Sequence, residues 1–225
     1  MSRHSRRAIG DLFAAPLAAP PGGGSEALGT DAVVLRGFAA AEAEHVLAVV
    51  RAVASDTPFR NMVTPGGYTM SVAMTNAGVG WVTDRRGYRY DAVDPETGKR
   101  WPPIPPLLSA LAARAAATAG FPDFTPDGCL INRYQPGTKL SLHQDRNERD
   151  FSQPIVSVSL GLPATFLWGG ERRADRPRRI PLASGDVVVW GGPSRLAFHG
   201  VDKLADGVHP LTGGCRYNLT FRRAL

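Results

Sequence analysis

A His-x-Asp pair ends a stretch that has the pattern of two short strands, residues 131–134 and 139–145, joined at Pro136-Gly137. Because successive side chains of an extended chain point to opposite faces, His143 and Asp145 project from the same face and can bind one metal ion. An imidazole nitrogen beside a carboxylate oxygen suits a divalent first-row metal. Alone, the pair is a weak signal, since a surface turn with two polar residues is the common explanation.

A second histidine would complete a three-ligand site. Two histidines and one carboxylate on one side of iron form a facial triad that leaves the other coordination positions open, as in non-haem Fe(II) oxygenases. His199, in Phe198-His199-Gly200, is the candidate. The sequence therefore predicts a metal centre at His143, Asp145 and His199.

Residues 216–222 alternate strictly between polar and apolar types, which predicts a strand with one face in the core. The polar face carries Arg216, Asn218, Thr220 and Arg222. Exposure to solvent is one explanation for two arginines on one face. The other is a barrel mouth, where Arg216 and Arg222, about 20 Å apart along the strand, bracket a short dicarboxylate with their planar forks. Asn132 and Tyr134 also share one face and can add neutral hydrogen bonds.

These residues together resemble the Fe(II)/2-oxoglutarate dioxygenases, and specifically the AlkB family that repairs alkylated DNA. The resemblance is carried by Asn132-x-Tyr134, His143-x-Asp145, His199 and Arg216-x-Asn218-x-x-x-Arg222, and by the longer strings at residues 62–76 and 186–192. It implies Fe(II) on the triad, with O2 and 2-oxoglutarate as cosubstrates. The implied 2-oxoglutarate residues are Asn132, Tyr134, Arg216, Asn218 and Arg222.

Residues 58–100 are rich in Gly, Thr and aromatic residues, which predicts a hairpin-rich flap. Its aromatic residues stand among arginines: Trp81, Tyr88 and Tyr90 among Arg85, Arg86 and Arg89. Aromatic faces interleaved with cations stack bases and hold phosphates, and ordinary sheet packing is the alternative. By the resemblance, the flap recognises the nucleotide and Trp81 stacks on the damaged base.

Two further positions bear on the substrate. The resemblance implies an acid two residues after the metal-binding aspartate, and this chain has Asn147, whose amide oxygen still accepts a hydrogen bond but carries no charge. Glu148 is a candidate to compensate. The stretch 171–179 carries five arginines, Arg173 among them, which indicates either a solvated loop or contacts to phosphate.

The 225 residues carry a formal charge of +6, which favours polyanionic partners. Composition predicts a flexible tail over residues 1–30 and a single catalytic domain over 31–225. Within the domain we expect helices over about 40–55 and over 107–119, and a jelly-roll core over 126–225. The predicted fold class is α+β, mainly β: a double-stranded β-helix, or jelly roll, with buttressing helices. No membrane span or disulfide scaffold is indicated, so we expect a cytoplasmic protein.

The resemblance implies oxidative demethylation of alkylated bases in DNA, 1-methyladenine and 3-methylcytosine, by a monomer that prefers single strands and releases formaldehyde, succinate and CO2. Two alternatives stay open at this point. One is the same chemistry on RNA, protein or a small metabolite. The other is a non-catalytic basic nucleic-acid binding module with a vestigial metal site.

Overall fold

A computed structural model describes residues 23–225 of the chain. The tail predicted over residues 1–30 lies mostly outside this range, but its end is described and differs from the prediction. Ser25–Gly29 forms a strand that pairs antiparallel with Ala32–Leu35. This pairing buries Leu28, so the tail prediction is wrong for these residues.

The α-helices of the described chain are α1 (Ala43–Asp56) and α2 (Pro106–Thr118), close to the predicted ranges. The strands are β1 (Ser25–Gly29), β2 (Ala32–Leu35), β3 (Ala73–Gly78), β4 (Gly80–Asp84), β5 (Gly87–Asp91), β6 (Gly128–Tyr134), β7 (Leu140–His143), β8 (Ile155–Gly161), β9 (Ala164–Trp168), β10 (Arg178–Leu182), β11 (Val187–Trp190), β12 (His199–Val201) and β13 (Arg216–Arg222). Within the described residues, neither helix is long and apolar enough to cross a membrane.

The strands form a large sheet in the order β1-β2-β11-β8-β13-β6-β3, a small sheet in the order β10-β9-β12-β7, and the hairpin β4-β5. Every strand pairing is antiparallel. From β6 onward the chain passes repeatedly between the two sheets, with β6, β8, β11 and β13 in the large sheet and β7, β9, β10 and β12 in the small one. This winding is the double-stranded β-helix, which confirms the predicted fold class.

The helices cover the outer face of the large sheet. Val46 and Val50 of α1 and Leu108 and Leu111 of α2 are fully buried in one apolar cluster with the sheet. They recur at the spacing that brings side chains to one side of a helix. The helices therefore buttress the sheet, as predicted, and leave its other face toward the small sheet.

Strand β13 has the two faces that its alternation predicts. Leu219 and Phe221 are fully buried in the cluster under the helices. The polar residues are also buried: Arg216 is 1% exposed and Arg222 is 5% exposed. Solvent exposure therefore does not explain the two arginines, which face the space between the sheets.

The predicted flap and core ranges do not coincide with the boundaries of the sheets. The flap range 58–100 contains β3, whose residues are mostly buried and pair with β6 in the large sheet. The jelly-roll core predicted over 126–225 contains the whole winding from β6 to β13, while β1, β2 and β3 extend the large sheet from outside this range.

Candidate active site

The three predicted metal ligands meet where β7 and β12 pair. In this register His199 lies directly opposite His143. Gly200 permits the close approach of the strands, because a Cβ there would lie 2.6 Å from the Leu140 carbonyl oxygen. Asp145 follows β7 by two residues, so the strand predicted over 139–145 is too long. It nevertheless lies beside both histidines.

The geometry of the triad suits one divalent ion. Ligand atoms of His143, Asp145 and His199 lie within 4.8 Å of one another. His143 Nε2 is 3.8 Å from Asp145 Oδ1, and His199 Nε2 is 3.7 Å from Asp145 Oδ2. The two Nδ1 atoms lie 2.9 and 3.0 Å from the carbonyl oxygens of Ser141 and Ala197. Because a carbonyl only accepts, each Nδ1 carries the proton and each Nε2 offers its lone pair to a metal.

The electrostatics hold His199 and Asp145 in their metal-binding protonation states. Burial lowers the pKa of His199 to about 3, so this imidazole is neutral at physiological pH. Burial opposes ionisation of Asp145, but the positive charge of Arg222 holds the pKa of that carboxyl well below its usual range. A neutral histidine and an ionised carboxylate are the forms that coordinate metals.

The second part of the site is a buried cation that pairs with no acidic side chain of the described residues. The triad opens into a cavity of about 610 Å³, and Arg216 lines it. Arg216 Nη2 donates to Ser159 Oγ at 3.0 Å, while its Nε and Nη1 are buried without a partner in residues 23–225. Burial lowers the pKa of this guanidinium, and Tyr134 alone opposes the shift. A buried unpaired charge is costly, so this end of the cavity fits an anionic group of a ligand.

The neutral residues predicted beside Arg216 divide into two kinds. Tyr134 Oη and Asn132 Oδ1 are buried and lack partners among the described residues, so both are available to a ligand. Asn218 is already bonded within the protein. Its Nδ2 donates to Ser157 Oγ at 2.7 Å and to the Val158 carbonyl at 3.1 Å, and its Oδ1 accepts from Asn132 at 3.3 Å. Asn218 therefore orients Asn132.

Arg222 lies at the other end of β13, on the metal side of the cavity. Its Nε and Nη2 donate to Asp145 Oδ2 at 2.9 and 2.6 Å, and Nε is 3.3 Å from Glu148 Oε1. The two arginines of β13 are therefore unequal: among the described residues Arg216 has no acidic partner and Arg222 has two. Their bracketing of one dicarboxylate stays a prediction.

An aromatic pair forms the wall of the cavity on the flap side. The ring of Trp81 stacks on Tyr88 with centroids 5.8 Å apart. Trp81 Nε1 donates to Asn147 Oδ1 at 3.3 Å, and Asn147 Nδ2 donates to the Tyr88 carbonyl at 3.4 Å. Buried Asn76 bonds both backbone groups of Trp81, at 3.0 and 3.1 Å. Trp81, Tyr88 and Asn147 all line the cavity, where a flat ligand could extend the stack.

Other aromatic and basic residues of the hairpin point elsewhere. Tyr90 donates its hydroxyl to Glu148 Oε1 at 2.6 Å. Arg89 donates from two nitrogens to Asp84, both at 2.9 Å. These two residues are therefore engaged with the protein and do not extend the exposed stacking surface.

The arginine-rich stretch contributes one residue to the cavity. Arg173 is exposed and lines the cavity mouth. Three neighbours bond to protein groups: Arg172 to Asp175, Arg178 to the Leu28 carbonyl and Arg179 to Asp202. The stretch is therefore largely structural, with Arg173 left facing the cavity.

Sequence reasoning misplaced one residue and missed another. Glu148 was a candidate base contact, but it is 6% exposed and faces Arg222 and Arg195. Arg195, 3% exposed, was not found because its partners lie some 50 positions earlier in the chain and no local pattern marks them. The alternation of Ser157 and Ser159 with apolar residues was a usable signal, since both hydroxyls support the polar face of β13.

Fold and site define a class of enzyme, and comparison with known proteins agrees. The family model of the 2OG-Fe(II) oxygenase superfamily matches residues 31–222. The alpha-ketoglutarate-dependent dioxygenase AlkB of Escherichia coli strain K12 is 60% identical over 200 residues, covering 88% of this chain and 93% of that protein. The chain belongs to the AlkB family of this superfamily, and it is an Fe(II)/2-oxoglutarate-dependent dioxygenase.

Two further comparisons extend the likeness. An AlkB homologue of Caulobacter vibrioides is 50% identical over 177 residues, covering 78% of this chain and 79% of that protein. The solved structure of OsALKBH1 superposes with a TM-score of 0.78 at 29% identity and covers 89% of this chain and 100% of that one. The family assignment and the fold therefore rest on both sequence and structure.

Proposed function

We propose that this dioxygenase oxidatively demethylates alkylated bases in DNA, with 1-methyladenine and 3-methylcytosine as substrates and formaldehyde, succinate and CO2 as products. One observation carries the proposal. A single cavity holds the triad, the buried guanidinium of Arg216 and the Trp81-Tyr88 stack. Metal, small dianion and flat base can therefore meet in one space. Residues 31–225 act as one catalytic domain in this proposal, because cavity residues come from both sheets and from the hairpin.

His143, Asp145 and His199 would hold Fe(II). Arg216, with Tyr134 and Asn132, would hold the distal carboxylate of 2-oxoglutarate, while Asn218 orients Asn132 and Arg222 contributes at the metal end. Bound Fe(II), 2-oxoglutarate and O2 supply the oxidising power that hydroxylates an N-methyl group. The protein supplies geometry and excludes water, and no side chain acts as a nucleophile.

The hairpin would select the base. Methylation at N1 of adenine or N3 of cytosine blocks pairing and leaves a flat cation. The indole face of Trp81 attracts such a cation by stacking and by its π electrons. Tyr88 packs against that indole, and Asn147 holds it in place by accepting a hydrogen bond from the indole Nε1. Arg173 would contact the phosphate backbone at the cavity mouth.

Single strands are the preferred substrate in this proposal. A base must leave its stack to enter the cavity, and unstacking costs least where the base is unpaired or damaged. The net charge of +6 favours binding of DNA, a polyanion, whether it is single-stranded or double-stranded. We further propose that the protein acts as a monomer in the cytoplasm, in keeping with its DNA substrate and its bacterial relatives.

Mass spectrometry of defined oligonucleotides tests which nucleic acid and which methylated base the enzyme acts on. DNA carrying one 1-methyladenine or 3-methylcytosine is incubated with protein, Fe(II), ascorbate, 2-oxoglutarate and air, as a single strand, as a duplex and as RNA of the same sequence. We expect loss of one methyl group, fastest in single-stranded DNA, and no loss without Fe(II) or 2-oxoglutarate. Faster repair of RNA would assign RNA as the substrate. Succinate release with every methyl group intact would reject demethylation of these bases.

A further inference from the structure

A buried cluster of charges lies behind the metal triad. Asp145, Glu148, Arg195 and Arg222 are each at most 9% exposed. The two carboxylates balance the two guanidinium groups. Burying an ion carries a large desolvation cost, which well-formed pairing has to offset. The positions of these four side chains are therefore strongly interdependent.

Arg222 is shared between the two carboxylates of this cluster. Its Nη2 is 2.6 Å from Asp145 Oδ2, and its Nε lies between Asp145 Oδ2 at 2.9 Å and Glu148 Oε1 at 3.3 Å. Asp145 Oδ2 also lies 3.7 Å from His199 Nε2, and Asp145 Oδ1 lies 3.8 Å from His143 Nε2, so the oxygen that accepts from Arg222 is one of the two that face the histidines. The position of the Arg222 guanidinium between Asp145 and Glu148 thus bears on the orientation of the Asp145 carboxylate.

Glu148 is held from two other directions. Arg195 Nη2 lies 3.2 Å from Glu148 Oε2, and the same guanidinium donates to the backbone carbonyls of Asp145 and Gln153, both at 3.0 Å. Arg195 therefore fixes the loop that follows β7. Tyr90, from β5 of the hairpin, donates its hydroxyl to Glu148 Oε1 at 2.6 Å.

The Tyr90 hydroxyl bonds to the same Glu148 oxygen that faces Arg222. A donated hydrogen bond partly satisfies the charge on that oxygen and reduces its attraction for the guanidinium. Burial raises the pKa of Tyr90 well above its ordinary value, so the phenol stays a donor. Without the hydroxyl, Glu148 would draw Arg222 away from Asp145.

We propose that Tyr90 and Glu148 are positioning residues of the metal centre: the hairpin hydroxyl fixes Glu148, Glu148 fixes Arg222, and Arg222 orients the metal-binding carboxylate of Asp145. This rests on the role proposed above for Asp145. Seating of the β4-β5 hairpin and readiness of the metal site then form one equilibrium. By linkage, a bound metal favours the seated hairpin as much as the seated hairpin favours the metal.

Metal affinity of the full chain tests this without catalysis. Co2+ is titrated into the metal-free protein and followed by its visible absorption. Tyr90→Phe keeps the ring and removes the hydroxyl, and we expect it to weaken Co2+ binding about 5- to 10-fold. Tyr68→Phe is the matched control, because Tyr68 is 78% exposed and should bind Co2+ as the wild type does.

A double variant and hydrogen exchange separate positioning from packing. In a Glu148→Gln background, Tyr90→Phe should cause little further loss, since both changes interrupt the same chain of contacts. Co2+ should slow amide exchange across residues 80–91 in the wild type and in Tyr68→Phe, and much less in Tyr90→Phe. Wild-type affinity and protection in Tyr90→Phe would overturn the inference. A wild type that does not bind Co2+ would reject the proposed metal centre and this inference with it.

Discussion

At the scale of single residues, the site presents a neutral imidazole at His199 and an ionised carboxylate at Asp145. Backbone carbonyls fix the tautomers of both histidines so that each Nε2 faces the metal position. A metal ion that binds here meets ligands that are already oriented. Each ligand should therefore be indispensable.

His199→Ala should abolish turnover, because two remaining protein ligands cannot hold Fe(II) in one geometry. We expect a loss of more than about 100-fold in metal affinity, beyond the usual effect of losing an outer contact. Co2+ titration and succinate release measure this. His45→Ala is the matched control, since His45 lies exposed on α1. Turnover close to that of the wild type in His199→Ala at limiting Fe(II) would mean that another residue binds the metal.

Trp81→Ala should separate substrate binding from activation of the cosubstrate. Losing a base-stacking ring costs about 1 to 3 kcal/mol, or roughly a 5- to 150-fold drop in kcat/KM for methylated oligonucleotides. Succinate release without DNA should change little, because it needs no base. Trp81→Phe should recover part of the repair. Were both activities to fall together in Trp81→Ala, the ring would be a structural element of the hairpin.

At the scale of elements, the site depends on strands that change sheet at sharp turns. Gly161 ends β8 at φ 89°, and a Cβ there would lie 2.5 Å from the Cys215 carbonyl oxygen. That carbonyl belongs to the residue before β13, so the turn lies against the strand that carries both cavity arginines. Glycine is required here for both conformation and space.

Gly161→Ala should therefore destabilise the fold by more than about 1 kcal/mol. Gly213→Ala is the matched control, because Gly213 also has a positive φ, 62°, but a Cβ there meets nothing within 4 Å. Urea unfolding of the two variants isolates the clash from the backbone strain. Equal destabilisation of both would show that the surroundings of Gly161 relax at little cost.

Local periodicity explains which elements the sequence could predict. The alternation of 216–222 gives β13 residue for residue, and the apolar spacing in α1 and α2 places both helices, because each pattern records burial on one face. The metal triad follows from short spacing and a resemblance. Arg195 and the contact of Tyr90 with Glu148 do not, since they join segments about 50 or more positions apart. The sequence also did not place β3 in the large sheet. The reason is the same, because the pairing of β3 with β6 leaves no local pattern in the sequence.

At the scale of the whole molecule, folding buries a charge that no acidic side chain of residues 23–225 pairs. Arg216 is 1% exposed, and two of its nitrogens lack partners in the described chain. An uncompensated buried charge destabilises a fold, and an apolar side chain of similar length at the same position avoids that cost. The ligand-free protein therefore keeps Arg216 at a cost to stability, and in the function proposed above 2-oxoglutarate offsets this cost on binding.

Thermal unfolding, measured with Mn2+ in place of Fe(II), tests whether 2-oxoglutarate offsets the cost of burying Arg216. At 100 times its dissociation constant, 2-oxoglutarate should stabilise the wild type by about 2.7 kcal/mol, which is roughly 5 to 11 °C for a chain of this size. Arg216→Met should match or exceed the wild-type midpoint without 2-oxoglutarate and lose most of the increment with it. Arg114→Met, at an exposed arginine paired with Glu42 on the helical side, should keep the full increment. An Arg216→Met protein that unfolds well below the wild type in the absence of ligand would show that Arg216 stabilises the fold through its neighbours. The buried charge would then be structural, and the cosubstrate carboxylate would have to bind elsewhere in the cavity.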